Sequence, residues 1–212
     1  MKVPKIEFTY SSIYDKVWEN FIRISSKRKG YFYPPRRVIL KYMQRVGRRW
    51  YQDDFGSQIL VYMSRITKLK WSDNKIHCYL VGNCQPFSDP VTIPLYYKKP
   101  NHFDIERFIN VLIHELIHQL LNQEDNPSRT KNAWKYFYKR YRGESESTKT
   151  HILVQAIHQA IYLKFFSEKE LKKDIEIAKQ FTKKDPVYAR AWQIVEKDGY
   201  QNIIAEFRKR IK

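Results

Sequence analysis

The stretch VLIHELIHQL, residues 111–120, constrains this chain more than any other. It is an apolar run that reads as a buried helix, yet it carries two histidines four residues apart, His114 and His118, and a carboxylate, Glu115. Polar groups on a helix this apolar must find partners inside the fold. Residues i and i+4 share a helix face, so both imidazoles can reach one cation about 2 Å away. Glu115 is turned roughly 100° from His114, too far to bind the same ion easily but close enough to hold a water beside it. That is the logic of H-E-x-x-H: the ion lowers the pKa of the water toward about 7, the glutamate takes its proton, and a polarised carbonyl is attacked. With 6 His in 212 residues, composition alone yields this pattern in roughly one chain in a hundred.

Around the motif the periodicity predicts mixed secondary structure. Ile13, Val17, Phe21 and Ile24 mark an amphipathic helix over 12–25, and Pro34-Pro35 opens a second helix, RRVILKYMQRVGRRWY, with arginines and lysines on its outer side. Three segments rich in β-branched and aromatic residues, 57–67, 74–83 and 89–98, read as strands of a small sheet. Pro94 marks the last of them as an exposed edge, open to an added peptide strand. The motif helix runs between Pro100-Asn101 and Asn126-Pro127, with His102 at its start. Helices over about 131–141, 150–166, 168–182, 186–197 and 199–211 complete the chain. Its length fits one domain with two lobes, 1–127 and 128–212.

The motif and its neighbours resemble the extended signature of zincin metallopeptidases: Val111, then uncharged Leu112, Leu116, Ile117 and Gln119 and apolar Leu120, with Glu115 the only charge. A sheet, an edge strand and then the motif helix are also similar to the zincin upper lobe. The resemblance implies an α+β zincin-like fold with the edge strand packed on the motif helix and a helical C-terminal lobe. It implies Zn2+ as cofactor, a protein or peptide substrate, and Glu115 as general base and acid. A catalytic zinc takes three protein ligands and leaves one position open, so a third donor must follow His118. No glycine stands between 83 and 142, which excludes the zincin arrangement with a glycine turn close after the motif. Zincins with a longer connection carry the third ligand on a second helix, which here is THILVQAIHQAIYLKFF. Its apolar residues run almost all round, and its polar exceptions, His151, Gln155, His158 and Tyr162, fall on one line. His151, near the helix start, is the favoured ligand; families with a comparable connection usually carry Glu there. Glu144, Glu146 and His158 stay open as alternatives, with Glu124, Asp125 and Glu168 further candidates. His158 or Tyr162, or a tyrosine of WKYFYKRY, stands as a second contact or transition-state donor.

Charge bears on partners. The chain carries a formal net charge of +18, and residues 1–75 hold 17 Lys/Arg against 6 Asp/Glu, whereas residues 76–130, which include the motif, hold 4 against 6. The basic N-terminal region, with SSKRKGYFYPPRR and RVGRRWYQ, mixes cations with stacking aromatics and makes nucleic acid a possible partner. Spartan-type proteases, which act on DNA-bound protein, resemble this chain over the motif helix alone. A zinc-stabilised nucleic-acid-binding module without turnover is the competing class, and Glu115 separates the two, because a structural site needs no water-activating carboxylate. Cys78 and Cys84 have neither metal-ligand nor disulfide spacing and read as half-buried thiols. With no signal-peptide core and no apolar run of membrane-spanning length, the expectation is a soluble cytoplasmic protein without a membrane partner.

Overall fold

The computed structural model describes residues 2–25, 33–96, 104–124, 126–180 and 186–211. His102, Asp125 and the predicted features at 26–32 and 97–103 lie outside them. The architecture is mixed α+β: β1(Lys5–Thr9), α1(Ser12–Ser25), α2(Arg36–Tyr51), α3(Phe55–Thr67), β2(Lys75–Asn83), β3(Phe87–Ser88), β4(Val91–Tyr96), α4(Ile105–Asn122), α5(Asn126–Arg140), α6(Glu146–Phe165), α7(Glu168–Gln180), α8(Val187–Asp198) and α9(Tyr200–Arg208). Backbone proximity divides the chain into two units, Met1–Gln58 with Asp73–Gln119, and Ile59–Ser72 with Leu120–Lys212. Among the described residues no helix is long and apolar enough to cross a membrane.

The first unit holds a four-stranded sheet in the order β1-β2-β4-β3. β1 and β4 both pair in parallel with β2, and β3 turns back antiparallel on β4, so the sheet is mixed. β4 is therefore not the exposed edge that Pro94 predicts. β3 lies outside it and Val91, Thr92, Ile93 and Leu95 are fully buried. β1 also went unpredicted, because its alternation, Ile6 and Phe8, spans only five residues. α2 has the bounds its periodicity predicts and buries Ile39, Tyr42, Val46 and Trp50 on one face. On α4, Phe108 meets Phe8 of β1 at 6.4 Å and Tyr42 of α2 at 5.7 Å.

α1 is tied down by a buried carboxylate. Asp15 accepts bonds from the Tyr10 hydroxyl at 3.0 Å, from the Gly82 amide at 2.8 Å and from the Tyr33 hydroxyl. Gly82 is required there, because a Cβ would stand 2.3 Å from the Tyr33 ring. Tyr14 adds a hydroxyl contact to Thr92 at 3.0 Å and an edge contact to Tyr79. Consequently the inner face of α1 is polar and aromatic, and the row Ile13, Val17, Phe21, Ile24 that identifies the helix points to solvent.

In the second unit α6 packs against α5, α7, α8 and α9. It starts four residues earlier than the sequence predicts, because the Ser145 side chain caps it by accepting from the Thr148 amide at 3.1 Å. The segment 57–67, predicted as a strand, is the helix α3. Its buried residues Ile59, Leu60, Met63, Ser64 and Thr67 recur at helical spacing, and that period outweighs the β-branched composition. Asn126-Pro127 opens α5 rather than closing α4. The Asn126 amide donates to the carbonyls of Leu120 at 2.6 Å and Lys70 at 2.9 Å, while Pro127, the second residue of α5, has no amide to leave unsatisfied.

Candidate metal centre

α4 begins at a cap. The Asp104 carboxylate accepts from the Arg107 amide at 2.7 Å, three residues on, satisfying one of the unpaired donors at the helix start. From there Phe108, Ile109, Leu112, Ile113, Leu116, Ile117 and Leu120 are fully buried, which fixes the rotation of the helix. His114 and His118 are half-buried with ring centroids 5.0 Å apart. Glu115 is 7% exposed, and burial alone pushes its carboxyl up to about 8. Its charge also reaches Cys78 and Cys84, whose thiols are raised first by burial and then by Glu115. Both cysteines are fully buried rather than half-buried, and they stay protonated.

His151 lies in the second turn of α6. Its Nδ1 is 2.7 Å from the Ser147 carbonyl oxygen. A carbonyl only accepts, so a neutral ring in that contact carries its proton on Nδ1, which makes Nε2 the acceptor nitrogen. The edge of Tyr188, on α8, meets the same ring at a centroid distance of 4.6 Å. One ligand atom each from His114, His118 and His151 lies within 4.8 Å of the others, and all three rings are half-buried. No other group of three His, Cys, Asp or Glu among the described residues comes together in this way. Three imidazole nitrogens are a donor set that zinc accepts.

The other candidates for third ligand are placed elsewhere. Glu144 is held by Arg190, whose guanidinium donates at 2.6 and 3.0 Å. Glu146 pairs with Lys149 at 2.8 Å, Glu168 pairs with Lys172 at 2.8 Å, and Glu124 is exposed. His158 is 3% exposed and stacks on Tyr162 at 4.7 Å, and neither joins the imidazole group. Of the WKYFYKRY tyrosines, Tyr141 donates to Asp198 at 2.8 Å, and Tyr136 accepts from Arg140 at 3.1 Å. Comparison with protein-family models, curated proteins and solved structures finds no match. Tyr188 is the neighbour that sequence reasoning missed: it is one of 16 tyrosines and stands 37 residues from His151, with no spacing to mark it.

Proposed function

We propose that this chain is a zinc-dependent peptidase of the zincin type. The observation that carries the reading is the meeting of His151 with His114 and His118, two of them on one helix beside a buried Glu115. The order of elements supports it: a small mixed sheet precedes the motif helix and a helical segment follows. His114, His118 and His151 would hold the ion, and the contact of His151 Nδ1 to Ser147 makes Nε2 the nitrogen suited to that role. A divalent ion in such a site polarises a peptide carbonyl and lowers the pKa of the attacking water. Glu115 then does the proton work. Its carboxylate takes a proton as the water oxygen bonds to the carbonyl carbon, and returns it to the amine nitrogen as the C–N bond breaks. A bound cation would favour the ionised carboxyl that burial alone disfavours, and so would let Glu115 begin as the base.

Replacing Glu115 by Gln should leave zinc content near one per chain and lower hydrolysis of a general protein substrate by at least about 10²-fold, the scale of general acid–base catalysis. Full activity in Glu115→Gln would exclude it as the base. Zinc content unchanged in His151→Ala would remove that residue from the ligand set.

A second reading rests on α2, whose exposed residues Arg37, Lys41, Arg45 and Arg48 repeat at helical spacing along one face. Such a row suits a phosphate backbone, so nucleic acid is the partner it favours. Binding to duplex DNA should then fall with log salt at a slope near −3 to −4, about −0.9 per phosphate contacted. No binding at about 50 mM salt removes this reading without touching the peptidase one.

A further inference from the structure

We infer that the outward face of α1, with the cavity beside it, is a docking surface for an acidic, amphipathic polypeptide segment. Ile13 is 81% exposed, Val17 57%, Phe21 58% and Ile24 79%. Isolated exposed apolar residues need no explanation, but four in register over three turns form a contiguous stripe. The stripe leads into a cavity of about 580 Å³, walled by Trp18, Phe21, Pro86 and Phe87, with the Asn83 and Gln85 amides on its lining. Phe21 belongs to both, so stripe and cavity are one surface. Trp18 is set in its wall by Phe87 at 5.5 Å and Phe21 at 5.7 Å.

Three features choose the occupant. At 100° per residue, Tyr14 and Trp18 follow one flank of the stripe, and Lys16 and Arg23, both exposed, follow the other. Lys16 pairs with Glu19 at 2.8 Å, so a helix laid along the stripe meets Arg23 and this ion pair on one side and a concave aromatic wall on the other. The chain as a whole is +18. A second copy would bring the same excess of positive charge, which opposes self-association, whereas an acidic segment is attracted. Finally, the cavity has room for more than one apolar side chain of a bound segment, with the Asn83 and Gln85 amides at hand for the backbone around them. The mode is helix-in-groove recognition, with apolar anchors at i, i+3, i+4 and i+7.

The probe is a synthetic 16-residue peptide with Leu at those helical positions, Glu and Gln elsewhere and a terminal fluorophore, followed by anisotropy against the full chain. Saturable binding is expected, weaker by at least about tenfold in Phe21→Ser and in Val17→Ser and in raised salt, and absent for the same peptide with Lys in place of Glu. Both substitutions fall on exposed side chains, and circular dichroism checks that the variants remain folded. Failure to bind at millimolar peptide, equal binding of the Lys version, or binding untouched by both substitutions overturns the inference. So does preferential adsorption to phosphatidylserine–phosphatidylcholine vesicles that Phe21→Ser abolishes, which would make the occupant a membrane. A concentration-dependent dimer abolished by Phe21→Ser overturns it in favour of a second copy. Zinc and hydrolysis enter none of these readouts, so the docking surface and the peptidase reading stand or fall separately.

Discussion

Tyr188 and the Ser147 carbonyl hold the His151 ring from two directions, one by edge contact and one by the Nδ1 bond. Contacts of this kind fix a ligand's tautomer and orientation, and their loss typically weakens metal binding 10- to 100-fold. Tyr188→Leu should therefore weaken zinc affinity by about tenfold or more, and Tyr188→Phe, which keeps the ring, by much less. Competition with a chromophoric chelator measures both. Equal affinity in Tyr188→Leu and the unaltered protein would show that the aromatic edge does not position the ligand. His114, Glu115 and His118 were legible in the sequence because a helix converts their spacing directly into a shared face. His151 was legible less sharply: the polar line along α6 offered it together with His158, its place near the helix start favoured it, and in the fold it lies with His114 and His118 while His158 stacks on Tyr162. Nothing in the local sequence marked Tyr188, whose contact spans two helices.

At the scale of elements, one residue governs how α4 ends and α5 begins. Asn126 is 1% exposed and satisfies two carbonyls, so Asn126→Ala leaves both without that donor and should cost about 2 kcal/mol in denaturant unfolding. A loss under about 0.5 kcal/mol would mean that water replaces the amide. The Arg190–Glu144 clamp between α8 and the turn before α6 predicts a pH dependence. The guanidinium hydrogen bonds hold the Glu144 carboxyl below its ordinary value. The stabilisation is thus present above the unfolded pKa and fades as pH falls through the lower folded one. Arg190 is half exposed, so Glu144→Gln should cost less than about 1 kcal/mol at pH 7. The difference from the unaltered protein should close as pH drops below about 4. A gap that persists at pH 3 would point to packing instead of charge. α1, α2, β2 and the C-terminal helices were legible because each repeats at a clear period, whereas α3 was misread because Val, Ile and Tyr suit a strand as well as a buried helix. α1 shows the other limit: periodicity locates an apolar row without saying whether protein or solvent faces it.

For the whole molecule, a ligand that binds only the folded state raises its stability by mass action. Zinc at a hundred times its Kd adds about 2.7 kcal/mol. In a chain of 212 residues each kcal/mol moves Tm by roughly 2–4 °C. Zinc should thus raise Tm by about 5–10 °C, chelation should reverse the shift, and His151→Ala should abolish most of it. A melting curve indifferent to zinc would contradict the metal site at its root. Charge acts at the same scale, since an excess of +18 speeds encounter with any anionic partner and slows encounter between copies. How tightly such a partner is then held depends on how much order remains to be imposed. Asp15, with Tyr10, Tyr33 and Gly82, secures α1 before any encounter. A free peptide copying residues 11–25 would be a marginal helix in water and would lose conformational entropy on binding. Within the protein that loss has already been met during folding, so α1 offers itself as a rigid template against which only the partner need become ordered.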